Sequence, residues 1–155
     1  MTQFNFRFQK ILDLKENEKG FAQIQMADAI KQQEAGHQKK EAIHNKIVDA
    51  ERLKKEKQQG GVNISELRML MDYIHQLQEQ LISSNHELEH LQRNVSRTQN
   101  HLQKKAQEEK TWESLKQQKR SLFEEESKVI EQNLFDELAS TRFYRTSQTN
   151  LAEGR

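Results

Sequence analysis

Leu67, Ile74, Leu81, Leu88, Val95 and Leu102 recur at every seventh position, and Leu70, Leu77, Ser84, Leu91 and Thr98 form a second row three residues later. Apolar residues spaced alternately by three and four draw one narrow seam along an α-helix, and such a seam pairs with another helix. The pattern falters at Lys105 and Glu109 and resumes one phase over with Trp112, Leu115, Leu122 and Val129. That shift resembles a stammer, a local overwinding of the pair. Ile130, Leu134, Phe135 and Leu138 continue the apolar series. No proline interrupts the 155 residues, where average usage would place roughly seven or eight. Proline costs about 3 kcal/mol in a helix interior, so its absence leaves long helices free to run.

The first half is patterned more weakly. Phe8, Ile11, Leu12, Leu14, Phe21, Ile24, Ala27, Ala35, Ala42, Ile47 and Leu53 make a discontinuous stripe, with Gly20 and Gly36 among them. Each glycine costs about 1 kcal/mol relative to alanine in a helix. The stripe predicts a loosely paired and more mobile helix. Between the halves, Gly60 and Gly61 can end a helix in the left-handed conformation. Asn63 then serves as N-cap, Glu66 completes a capping box, and Val62 with Leu67 forms a hydrophobic staple. A connection this short makes the two helices antiparallel neighbours.

The expected fold is therefore all-α: a long antiparallel two-helix coiled coil, an α-hairpin with unequal arms. Helix 1 covers about 4–58, the turn 59–62 and helix 2 about 63–143, all within one unit, 1–145. The polar stretch 146–155 is expected to be disordered. With the turn at the glycine pair, residue 4 reaches only to about residue 117. Leu122, Phe123, Val129, Ile130, Leu134, Phe135 and Leu138 are then left without a partner in the chain. Such a stripe is either frayed or bound to another protein.

Composition narrows the function. Hydrophobic residues make up 33% of the chain and charged residues 32%, with a mean hydropathy of −1.08. A globular core usually draws on about 45–50% apolar residues, whereas a two-helix seam needs fewer. The net charge of +1 gives no footprint for nucleic acid. Without cysteine there are no disulfides, thiolate metal sites or cysteine nucleophiles. No leader and no membrane span are visible, which predicts a cytoplasmic chain.

His86-Glu87-Leu88-Glu89-His90 spells the H-E-x-x-H zinc motif. Leu88 lies in the seam, so both histidines face water, and no third ligand or cleft accompanies them. The motif is read as chance; no metal, cofactor or catalytic residue is expected. Glu51 to Lys55 and Glu124 to Lys128 are spaced as helix-surface ion pairs. Tyr73 flanks the seam just after the turn, with Leu77 four residues on; the pair reads equally as an aromatic covering the edge of the seam and as an anchor for a partner. Aromatics are only 6% of the chain, yet Phe4, Phe6, Phe8, Phe135, Phe143 and Tyr144 gather near the ends, where the open end of the hairpin would bring them together.

Three stretches together resemble the flagellar export protein FliJ family: the opening from Phe4 to Glu16, Tyr73-Ile-His-Gln-Leu-Gln early in helix 2, and Asp136-Glu-Leu-Ala-Ser-Thr-Arg-Phe near the end. The resemblance spans nearly the whole chain. It implies a non-enzymatic stalk-like component of the flagellar type III protein export apparatus, serving flagellum biogenesis, motility and chemotaxis. The implied partners are the hexameric export ATPase, a membrane export gate protein and export chaperones. The implied location is the cytoplasmic face of the flagellar basal body, and the free protein is expected to be monomeric. The family's gate-binding surface maps onto Tyr73, Ile74, Leu77 and Ser84, while Ala42, Asn45 and Asp49 lack the aromatic character some members show on helix 1. Phe4, Phe6, Phe8, Ile11, Leu122, Val129, Leu134, Phe135, Leu138 and Phe143 suit insertion into the ATPase ring. The alternative is a generic coiled-coil adaptor or a parallel homodimer, against which the capped glycine turn argues.

Overall fold

A computed structural model describes residues 3–154. Two α-helices, α1 (Gln9–Gly60) and α2 (Ile64–Glu153), make up the fold, and no strand occurs among the described residues. The helices pack against each other. Internal contacts divide the chain into two units, one of Glu16–Gln107 and one joining Met1–Lys15 to Glu108–Arg155.

The turn falls within the first of these. α1 runs through Gly60, two residues beyond its expected end, and Gly61 alone takes a positive φ, +78°. That conformation brings a side chain's Cβ against its own carbonyl, which glycine avoids. Asn63 then caps α2: the Ser65 N–H donates to Asn63 Oδ1 at 3.3 Å, and the Leu67 N–H donates to the Asn63 carbonyl at 3.1 Å. Glu66 turns its carboxylate to Lys57 across the turn, at 3.4 Å.

Farther from the turn, Lys39 meets Glu87 at 2.9 Å and Glu18 meets Lys105 at 3.0 Å. Later residues of α1 thus face earlier residues of α2. Lys39 and Glu87 are 48 positions apart, which one unbroken helix would separate by roughly 70 Å. A single rod through the glycine pair is ruled out within this unit.

The α2 side of the contact follows the heptads. Ile74, Leu77, Ser84 and Leu88 are buried, and Leu67, Leu70, Leu81, Leu91, Val95, Thr98, Leu102 and Lys105 are half-buried. The α1 side does not follow the apolar stripe. Its buried row is Ala22, Ala29, Gly36, Ile43 and Ala50, again at every seventh position. Met26, Gln33, Lys40, Ile47 and Lys54 form the companion row four residues later. Of the expected stripe within this unit, Phe21, Ile24, Ala27, Ala35, Ala42 and Leu53 are exposed and only Ile47 is buried. The reason is steric. Small residues admit the leucines of α2, so a face that the apolar stripe did not mark is the one that packs. Lysine stems can flank such a seam while their ammonium groups remain in water. Nearest the turn, Ile43, Ile47, Ala50, Ile74 and Leu77 form the core cluster, with Leu70 and Leu81 against it.

In the second unit α1 begins only at Gln9, not near residue 4; the stretch before it is irregular and turns at Arg7 and Phe8. The Phe6 carbonyl accepts from the Gln9 N–H at 3.0 Å, and Phe8 accepts from Ile11 and Leu12. Lys15 pairs with Glu108 at 3.0 Å, both partly sheltered. On α2, Glu109, Trp112, Lys116 and Phe123 are half-buried, which keeps the original heptad phase. Leu115, of the expected shifted row, is half-buried too, but Leu122 and Val129 are exposed, so that row is not covered beyond Leu115. α2 also continues to Glu153, where composition had predicted disorder from Thr146. Thr141, Thr146, Ser147 and Thr149 each donate a hydroxyl hydrogen bond to a carbonyl three or four residues back. Those bonds stop the hydroxyls competing with the backbone for the helix, and neither proline nor glycine intervenes before Gly154.

Candidate docking surfaces

Two groups of residues can meet another protein, one in each unit.

In the unit that contains the turn, the sequence singled out Tyr73, Ile74, Leu77 and Ser84. They fall at different depths. Tyr73 is 45% exposed, whereas Leu77 and Ser84 are each 3% exposed and Ile74 7%. Ile74 and Leu77 belong to the core cluster itself. Tyr73 is therefore the member of this group that displays a large side chain. Met69, one turn before it, is also exposed. The heptad positions foreshadow this split, because Ile74 is an a residue, Leu77 and Ser84 are d residues, and Tyr73 is a flanking g residue.

The zinc-motif residues lie on the surface of the same unit. His86 Nδ1 is 4.0 Å from Glu89 Oε2, both largely exposed. Among the described residues no group of three or more potential ligands gathers to hold a metal.

In the unit that joins the chain ends, an aromatic cluster forms on α2. Phe4 lies against Phe123 with ring centroids 5.6 Å apart, and Phe8 lies against Trp112 at 5.8 Å. Phe6 is buried and meets Phe8 edge-on at 5.9 Å, with the Arg7 guanidinium 5.8 Å from the Phe8 ring. Ile11 is half-buried and Leu12 buried beside this cluster in sequence. Phe123 thus has a partner within the chain, contrary to the sequence-based expectation. The helix length alone hid this, because the irregular segment spans more of α2 per residue than a helix would. An open cleft of about 590 Å³ lies beside the segment, lined by Phe4, Phe6, Leu122 and Phe123 with Lys119 and Glu126.

Beyond Phe123 the large apolar side chains of α2 are uncovered. Val129, Ile130, Leu134, Phe135, Leu138, Phe143, Tyr144 and Leu151 are each more than half exposed. Ile130 lies seven residues past Phe123 and prolongs its row; Leu134 and Leu138 follow at one-turn intervals. Phe143 and Tyr144 touch each other edge-on at 6.5 Å and do not join the aromatic cluster at Phe4, Phe6 and Phe8 that the sequence suggested. The neighbouring charges are arranged as Arg120 to Glu124, at 3.0 Å, in place of the expected Glu124 to Lys128 pair. Beside Glu51 and Lys55, the other expected pair, it is Arg52 that binds Asp49, at 2.7 Å.

Among the described residues the arrangement offers apolar anchors. Among the described residues no helix is long and apolar enough to cross a membrane. The family model described as "FliJ: Flagellar FliJ protein" matches residues 4–148 of the chain. No curated protein and no solved structure matches it.

Proposed function

Because the chain belongs to the flagellar FliJ family and is thereby a non-catalytic component of the flagellar export apparatus, we propose that it works there as an antiparallel coiled-coil hairpin with unequal arms, docking its longer arm on the hexameric export ATPase. The observation that supports this most is the uncovered apolar surface from Val129 to Leu151. Fully burying a leucine, isoleucine, valine or phenylalanine side chain stabilises by about 1.5–3 kcal/mol, so eight large exposed groups leave much to be gained from a partner. A helix that is apolar on several faces is normally a buried helix.

In this reading Leu122, Val129, Leu134, Phe135, Leu138 and Phe143 meet the ring, with Phe4, Phe6, Phe8 and Ile11 forming the base from which the arm projects. Tyr73 meets the membrane export gate protein. Ile74, Leu77 and Ser84 act beneath it, holding the seam that presents the tyrosine. Export chaperones are further partners, and the protein sits peripherally at the cytoplasmic face of the basal body.

The test is co-purification of the full chain with the export ATPase of the same bacterium. Replacing Leu134 and Leu138 by aspartate should abolish capture and leave the circular dichroism spectrum and melting temperature unchanged, since neither side chain packs within the chain. Undiminished capture would refute the docking reading. Tyr73→Ala should keep ATPase capture and reduce capture of the gate protein's cytoplasmic domain; equal loss of both would argue against two separate surfaces.

A further inference from the structure

We propose that residues 4–8 are a displaceable aromatic strap, covering the start of the α2 docking row in the free protein and lifting when the partner binds. This rests on the docking reading above and adds to it a mode of regulation. The segment is not helical before Arg7, yet it reaches from Trp112, opposite Phe8, to Phe123, opposite Phe4. Eleven residues of α2 rise about 16 Å, whereas four residues of extended chain span about 13–14 Å. The turn at Arg7 and Phe8 shortens the strap further, so the backbone does not run the full distance and the reach of the Phe4 and Phe8 rings makes up the difference.

Its cover is partial and ends at a consequential place. Phe6 is buried, Phe4 is half-buried and Phe8 is more exposed still, and the open cleft of about 590 Å³ runs beside Phe4 and Phe6. Phe123, which Phe4 covers, and Ile130, which nothing in the structure covers, occupy the same heptad row. A partner that packs along Ile130, Leu134 and Leu138 and extends toward the aromatic cluster meets Phe4 at Phe123. One face of a phenyl ring cannot hold both. Binding to the whole row and closure of the strap are then mutually exclusive, and the strap lowers affinity by the stability of its own closed state.

The chain has no cysteine and one tryptophan, Trp112, which makes the strap directly testable. Phe4→Cys combined with Phe123→Cys allows the strap to be locked by a disulfide-containing bismaleimide that spans the space the two rings filled, and released by reductant in the same molecule. Export ATPase affinity is measured by calorimetry in both states. The expected result is at least tenfold weaker binding when locked, restored on reduction. Phe4→Ala should tighten binding about two- to tenfold, the factor that one aromatic pair accounts for. With 5-fluorotryptophan placed only in this chain, the Trp112 resonance should move on ATPase addition toward its position in a variant lacking residues 2–6. Equal affinity of locked and released protein would overturn the strap while leaving the docking reading intact, as would weaker binding by Phe4→Ala. If the wild-type protein, measured beside it, fails to bind the ATPase at all, the docking reading falls and the strap's role with it.

Discussion

Gly36 of α1 stands so close to Leu91 of α2 that a Cβ added to it would lie 2.9 Å from Leu91 Cδ1, with Leu88 Cδ2 at 3.0 Å. The contact explains why a residue that weakens an isolated helix occupies the middle of a long one. Gly20, by contrast, has nothing within 4 Å of an added Cβ. Urea denaturation should separate the two glycines. Gly36→Val overfills the seam and should destabilise by about 1–3 kcal/mol. Gly20→Ala gains helix propensity and should stabilise by about 0.5–1 kcal/mol. A stabilising Gly36→Val would mean that the helices do not pack this closely.

The glycine pair at the turn should behave as asymmetrically. Gly61 has a φ of +78°, while Gly60 ends α1 with ordinary helical backbone and open space around it. Gly61→Ala should cost roughly 1–2 kcal/mol. Gly60→Ala should be neutral or stabilise by up to about 1 kcal/mol. Thermal melts of the two variants side by side check this, and equal effects would count against a left-handed turn at Gly61.

Tyr73 and Leu77, one helical turn apart, should divide stability from recognition. Leu77→Ala empties part of the core cluster and should cost about 2–4 kcal/mol. Tyr73→Ala, at a half-exposed position, should change stability by no more than about 0.5–1 kcal/mol. If gate binding depends on Leu77 only through the seam, a volume-conserving Leu77→Met should keep both stability and binding, whereas Tyr73→Ala should lose binding alone. A Leu77→Met variant that is stable but no longer binds would make Leu77 a direct contact.

Much of this was legible in the sequence, and the rest was hidden for definite reasons. The α2 heptads from Leu67 to Leu102 and the Asn63 cap announced themselves because leucine, isoleucine and a capping asparagine stand out at the required spacing. The α1 row did not. Ala22, Ala29, Gly36 and Ala50 are too small to register as hydrophobic signal, although their seven-residue period was present, and Phe21 and Ile24 drew attention to a face that the helix leaves in water. The phase shift after Leu102 was inferred because Lys105 and Glu109 were assumed unfit for a seam. They are half-buried in it, with Lys105 bound to Glu18. The Phe4 to Phe123 contact escaped because a helical rise was assigned to residues 4–8, which are not helical. Ser84 and Leu77 were read as recognition residues through family resemblance, and burial assigns them first to packing.

The most direct test of the docking claim is hydrogen exchange, measured by mass spectrometry, on the full chain with and without the purified hexameric export ATPase. Peptides covering residues 128–151 should exchange markedly more slowly in the complex, while those covering Ile43 to Ala50 and Ile74 to Leu88 should keep their rates. Formation of a complex with no added protection over 128–151 would contradict the account.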